Sequence, residues 1–322
     1  MIDVLFLLLP GSLILDWAGP AEALRIANAL MAKQGKPEPF ALRFCAPRAD
    51  SVSSVGVRLA ELEMLPATLA ARPSWVVLVG QMHTPVPVDT PDNRTLLNWL
   101  RPLRLASGQL ELLTICAGTV LAAHAGLLAG RRVTTHHHHL DELQSVAPAC
   151  EVVRNRVFVE DSPVYSSAGV TTGIDLILHR IEAICGPALA AQVAQTMVVA
   201  LRRGPHDPEL SPFLAYRNHV HPALHRVQDA VSQSPQSDWS VPGMAAVAHT
   251  SPRHLTRLFL EYAQIAPLQY LRRIRLAVAQ TALASGDSVT AAAAAAGFSS
   301  DTQLRRAWQH FAVPGTPSRP SE

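Results

Sequence analysis

The stretch Ser240–Ala263, SVPGMAAVAHTSPRHLTRLFLEYA, returns as Ser288–Ala312, SVTAAAAAAGFSSDTQLRRAWQHFA, with one extra residue in the turn of the second copy. Each copy reads as a short helix of small residues, a polar turn, and a second helix that begins beside a Ser. That second helix carries Leu-x-Arg-x-aromatic: Leu255, Arg257 and Phe259, then Leu304, Arg306 and Trp308. At helical spacing Leu255/Phe259 and Leu304/Trp308 share one buried face. The opposite face is then Arg253, His254, Thr256 and Arg257 in the first copy, and Asp301, Thr302, Gln303, Arg305 and Arg306 in the second. A helix with such a face fits a major groove, so these are the candidate nucleic-acid contacts.

Between the copies, PLQYLRRIRLAVAQTALASG (Pro267–Gly286) reads as one helix. Pro267 suits a first turn, and Gly286 suits an end. Leu268, Leu271, Ile274, Leu276, Val278 and Leu283 are its expected buried side. A helical spacer of this kind joins two weak readers into one stronger one through effective concentration. On "SPRHLTRLF", "AAGFSSDTQLRRAW" and the closing "VPGTPSRP", this region resembles the AraC/XylS family of transcription regulators. It departs in the nearly pure Ala run after Thr290 and in Pro320, where an aromatic-Arg ending is usual.

Charge adds little. From His219 onward nine Arg stand against six acids, a difference of +3, and the whole chain carries +2. Phosphate contacts must therefore come from local clusters such as Arg272/Arg273/Arg275 and Arg305/Arg306.

With 322 residues, 48% hydrophobic and 16% charged, the chain is long and apolar enough for two packed domains. Its apolar start, MIDVLFLLLPGSLILDWAG, has Asp3, lacks a basic leader, and is broken by Pro10-Gly11, so it reads as a buried first strand. The four cysteines show no C-x-x-C spacing and are expected as reduced thiols in cytoplasm.

The first two hundred residues alternate apolar runs with helical patterns, the signature of a parallel sheet covered by helices. Strands are predicted at 4–9, 40–45, 75–79, 110–115, 157–160 and 164–166, and helices at 20–34, 92–106, 118–128, 139–147 and 172–185, the last continuing toward Met197. The Gly/Pro-rich RRGPHDPELSPF (Arg202–Phe213) reads as an exposed boundary. The expected layout is a front domain 1–205, a linker 206–218 and a rear domain 219–322.

Within the front domain, LELLTICAGTVLAAHAGLLAGRRVTTHHH (Leu110–His138) stands out. A strand ends at Ile115, Cys116 follows at once, and Ala117 and Gly118 permit a sharp turn into a helix. This is a nucleophile-elbow pattern. A helix N-terminus there is expected to lower the thiol pKa and favour an anion.

With "LILDWAGPAEAL", "AGRRVTTHH" and "SSAGVTTGIDLILH" added, the whole chain resembles the GlxA-type regulators, a class I glutamine-amidotransferase-like domain of the PfpI and isocyanide-hydratase superfamily fused to an AraC-type module. The resemblance implies a flavodoxin-like parallel sheet sandwiched by helices, then an all-α domain with two helix-turn-helix units. It places Asp16 opposite the elbow cysteine, His136 near it, and a small effector in the pocket. Asp16, Trp17, Gly80, Cys116, Ala117, Gly118 and His136 are the candidate pocket residues.

Ala117 stands where PfpI-like proteases have His, and His124 should point away from the elbow. An Asp16/Cys116 pair leaves an amidase-like or hydratase-like reaction open, and a buried, inert Cys116 is open too. No catalytic residue is assigned. Four consecutive histidines, His136–His139, cannot all face one ion; two of them with Cys116 could, but no acidic or second cysteine ligand stands at a recognisable spacing, so no metal or other cofactor is expected and the last three are read as surface or interface residues. Trp17 is either a pocket wall for a cationic metabolite or an ordinary core residue. The expected partners are double-stranded DNA, a small polar effector such as an amino acid or amine derivative, and a second copy of the chain, with no membrane.

Overall fold

A computed structural model describes residues 1–199, 202–205, 207, 209, 212–284, 286–311, 313 and 315–320. The chain divides into two compact units, Met1–Glu209 and Leu210–Glu322. Of the expected linker, residues 206, 208, 210 and 211 lie outside the described residues; Pro212–Ala215 forms one helical turn.

In the first unit the apolar runs become strands β1 (Ile2–Leu7), β2 (Phe40–Ala46), β3 (Glu63–Met64), β4 (Ser74–Leu78), β5 (Leu110–Ile115), β6 (Phe158–Asp161) and β7 (Val164–Ser167). They form one sheet in the order β6-β7-β5-β4-β1-β2-β3. The central pairs are parallel, with Leu5 opposite Val76 and Val76 opposite Leu112. β6 departs from the parallel reading: it turns back at Ser162-Pro163 and pairs antiparallel with β7. β4 is buried along its whole length, as a strand covered on both faces must be. β1 is the predicted first strand, and its Asp3 is fully buried but held by Arg43 at 3.2 Å and Arg72 at 2.9 Å.

The helices follow the predicted positions with shifted ends. The first spans Ile14–Lys33, not 20–34; Pro20 lies inside it, forfeiting only one N–H bond. The second ends at Leu100, ahead of Pro102, and the elbow helix ends at His124, before the positive-φ Gly126. The expected run toward Met197 is two helices, Thr172–Cys185 and Pro187–Thr196, because Gly186 at φ 88° and Pro187 end one and start the next.

The rear unit is helical: Pro222–Gln233, which the sequence reading did not anticipate, then Val241–Val247, Pro252–Leu258 continued by a wider turn to Ala263, Pro267–Ala284, Val289–Ala295 and Asp301–His310. The repeat is visible in the caps. Ser240 and Ser288 accept the N–H of Gly243 and Ala291, and Ser251 and Ser300 accept those of His254 and Gln303. Each cap satisfies a backbone donor and stabilises its helix by about 1 kcal/mol. The turns reverse through His249 at φ 52° and Gly297 at φ 79°.

Each repeat has its own core, and the helix Pro267–Ala284 feeds both. Tyr270, Leu271 and Ile274 pack with Leu255 and Phe259, while Leu276 and Ala279 pack with Leu304 and Trp308. Leu268, expected on the buried side, is 39% exposed, and Tyr270 takes the core position instead. Among the described residues no helix is long and apolar enough to cross a membrane.

Candidate functional site

The elbow lies where the carboxyl ends of β1, β4 and β5 converge, the position open α/β sheets use for ligands. Cys116 follows β5 directly and has φ 57°, a left-handed conformation that non-glycine residues rarely adopt. Its N–H donates to the Ser167 carbonyl at 3.0 Å, and its own carbonyl accepts from the Thr135 hydroxyl at 2.7 Å. The helix that follows runs so close to β4 that a side chain on Gly118 would collide with the Leu78 carbonyl.

Asp16 is fully buried and binds three groups. One carboxylate oxygen accepts the Val170 N–H at 2.7 Å and the other accepts the Gly80 N–H at 3.1 Å. The third is the Cys116 thiol. A Cβ on Gly80 would come within 2.9 Å of both the Asp16 carboxylate and the Cys116 side chain. Gly169, at φ 95°, closes the other side; a Cβ there would stand 2.8 Å from Sγ. Thr172 holds this turn, accepting the Gly169 N–H at 2.6 Å and donating to its carbonyl at 3.0 Å.

Burial governs the electrostatics here. It raises the Asp16 pKa from 3.8 to about 6, against the two backbone N–H groups and the thiol that favour the carboxylate. Burial first, then the Asp16 charge, pushes the Cys116 thiol well up, and the Ala117 N–H only partly offsets this. The expectation of a lowered thiol pKa is therefore overturned. The amide at the helix start is present, but desolvation and a neighbouring carboxylate outweigh it.

Of the predicted pocket residues, the structure brings together Asp16, Gly80 and Cys116, with Ala117 and Gly118 next in the turn. Trp17 packs edge-on against Phe44 with ring centres 5.8 Å apart. His136 is half-buried, and burial together with His137, His138 and His139 lowers its pKa to about 4. His139 corrects the surface reading: it is buried and bonds Glu142 at 2.8 Å. The four cysteines are free thiols.

Val170, Gly169, Thr135 and Glu209 are the neighbours that the sequence reading missed. The exposed-boundary expectation is corrected as well. Arg203 donates to Asp175 through both its backbone and its side chain, the Asp207 carbonyl accepts the Val157 N–H at 3.0 Å, and Glu209 bonds His137 at 2.8 Å.

In the rear unit Arg253, Arg257, Thr302, Gln303, Arg305 and Arg306 are exposed, while His254, Thr256 and Asp301 are half-buried. His254 Nδ1 is paired with the Arg257 guanidinium at 2.9 Å, and Asp301 accepts the Thr290 hydroxyl at 3.0 Å. Gln303 accepts the Ser299 N–H at 2.8 Å. The cluster Arg272/Arg273/Arg275 does not present three free charges. Arg273 lies over the Phe311 ring, and Arg275 donates to the Pro235 and Ser237 carbonyls, leaving Arg272 exposed. Arg272, Arg306 and His310 share a hollow of about 420 Å³.

Two family models match the chain, the DJ-1/PfpI family over residues 66–183 and a helix-turn-helix domain over residues 244–312. The chain thus carries a DJ-1/PfpI-type domain followed by a helix-turn-helix domain. It is 29% identical over 317 residues to the HTH-type transcriptional regulator CdhR of Pseudomonas aeruginosa, covering 95% of this chain and 88% of that one. It is 28% identical to the HTH-type transcriptional regulator GlxA of Rhizobium meliloti, covering 95% and 91%. A crystal structure of a ThiJ/PfpI family protein from Pseudomonas syringae superposes with a TM-score of 0.52 at 17% identity, covering 76% of this chain and 90% of that one, a likeness of fold.

Proposed function

We propose that the chain is a cytoplasmic, homodimeric transcription regulator that reads double-stranded DNA with its rear unit and senses a small polar effector beside Asp16 and Cys116. The observation that carries the DNA-reading half is the duplicated pair of serine-capped helices, each with a buried Leu-aromatic seam and an exposed Arg on the other side. Arg253, Arg257, Thr302, Arg305 and Arg306 are the exposed side chains offered to a groove, Arg257 paired with His254 and Arg305 donating to the Ser318 hydroxyl; His254, Thr256, Asp301 and Gln303 are tied into the helices that carry them. Arg272 and Arg306 share a hollow that suits a phosphate contact.

For the front unit, Asp16 gathers the Gly80 and Val170 amides and the Cys116 thiol, so a ligand displacing any one disturbs all three. Sensing is preferred over catalysis because the thiol is held protonated by burial and by the charge of its neighbour, and a protonated thiol is a poor nucleophile. The Asp16–Cys116 contact favours a second reading, a cysteine-dependent hydratase-like or amidase-like activity. Thermal shift of the intact chain against amino acids, amines and quaternary ammonium compounds tests sensing, since a ligand at a hundred times its Kd stabilises by about 2.7 kcal/mol. Cys116-dependent conversion of a compound, seen by mass spectrometry, would replace sensing with catalysis.

A further inference from the structure

The turn after the elbow helix gathers His136, His137 and His138, with one ring nitrogen from each within 4.8 Å of the others. The 3-10 turn His137–His139 makes this possible, folding consecutive residues back on one another while His139 is drawn off to Glu142 and Thr84. The Nδ1 atoms of His136 and His137 are already engaged. His136 Nδ1 accepts the His138 N–H at 3.4 Å, and His137 Nδ1 bonds the Glu209 carboxylate at 2.8 Å. This leaves the Nε2 atoms of both rings without a hydrogen-bond partner among the described residues. Glu209 is only 7% exposed and also accepts the His137 backbone N–H at 3.2 Å, so it is a fixed group.

We propose that His136, His137 and His138 form a binding site for a divalent first-row transition ion of the imidazole-preferring kind, with Glu209 as the carboxylate that orients His137. Ligand nitrogens on a tetrahedral Zn²⁺ stand about 3.4 Å apart, given Zn–N bonds of about 2.0–2.1 Å. Small side-chain rotations close the cluster to that spacing. A carboxylate on the far nitrogen of a ligating His is the usual outer support of such sites. Imidazole selects Zn²⁺, Ni²⁺ or Cu²⁺ over Mg²⁺ or Ca²⁺. Three protein ligands leave a fourth position open to water or a small molecule. Glu209 is the last residue of the front unit, so the ion is tied to the segment from which the chain runs on toward the rear unit.

The test is equilibrium dialysis of the intact, tag-free chain against Zn²⁺ and Ni²⁺ alone, with Co²⁺ as the spectroscopic probe. The expected result is a single ion per chain at micromolar affinity with the visible bands of tetrahedral Co²⁺, and no change on Cys116→Ser. His136→Ala with His138→Ala should abolish both. Glu209→Gln should weaken binding by about 10–100-fold. His138 is exposed, so His138→Ala alone leaves the fold intact and should still lose the Co²⁺ bands. No binding by the wild type, full binding by His138→Ala, or loss with Cys116→Ser would overturn the proposal.

Discussion

Replacing Asp16 with Asn separates the chemistry of the elbow from its packing. In the folded chain burial raises the Asp16 pKa to about 6, while the unfolded value is 3.8. Between these values the folded state holds a proton that the unfolded state has released. The extra stability is therefore complete below pH 3.8 and is lost as pH rises through about 6. A rise from 3.8 to about 6 corresponds to about 3 kcal/mol. Asn does not titrate, so this pH dependence should vanish in Asp16→Asn. A pH-independent cost should replace it, because the amide accepts one of the Gly80 and Val170 N–H groups and turns a donor toward the other, about 1–3 kcal/mol. The assay is urea unfolding between pH 4 and pH 8 with Trp239 and Trp308 changed to Phe, so that Trp17, Trp75 and Trp99 report on the front unit alone. Between pH 4 and pH 8 the stability difference between the parent chain and its Asp16→Asn variant should move against the parent by about 2 kcal/mol, the rest of the total of about 3 kcal/mol falling below pH 4. A difference that stays constant with pH would refute a buried, proton-holding Asp16.

Further outcomes follow from the geometry. Gly169→Ala should destabilise the front unit by more than about 3 kcal/mol in thermal melting, because its Cβ meets Sγ at 2.8 Å in a backbone at φ 95°. Gly297→Ala should destabilise the rear unit, where the Cβ meets Gln236 Cα at 2.5 Å, whereas His249→Gly at the matching turn should be neutral or stabilising by up to about 1 kcal/mol. Sedimentation of a fragment should find a dimer for residues 1–209. Cutting at 205 removes Asp207 and Glu209, which bond Val157 and His137, and should lower the melting temperature.

The parts of this protein that were legible in sequence are those set by local periodicity. Leu255/Phe259 and Leu304/Trp308 declare their buried face through helical spacing, and Ser251 and Ser300 declare the helix starts. β5 ends at Ile115 as read, and Cys116 stands on the turn. What was not legible depends on distant pairing. Val170 reaches Asp16 across more than 150 residues, and nothing local to an exposed valine announces it. Glu209 sits in a Pro-rich run that reads as a linker, yet its carboxylate is tied to His137. The thiol pKa was misjudged for the same reason. The helix start is written in the sequence, but the burial that outweighs it comes from Gly80 and Gly169 closing over the elbow.

The central claim, that the duplicated helices read DNA, is tested most directly by selecting bound duplexes from a random pool with the intact chain, then with Arg257→Ala and Arg306→Ala. The account predicts an enriched motif spanning successive major-groove faces. Loss of Arg257 should relax one part of it and loss of Arg306 another, at about 1–3 kcal/mol for a base-edge contact. A pool that stays random, or one motif recovered unchanged with both variants, would contradict it.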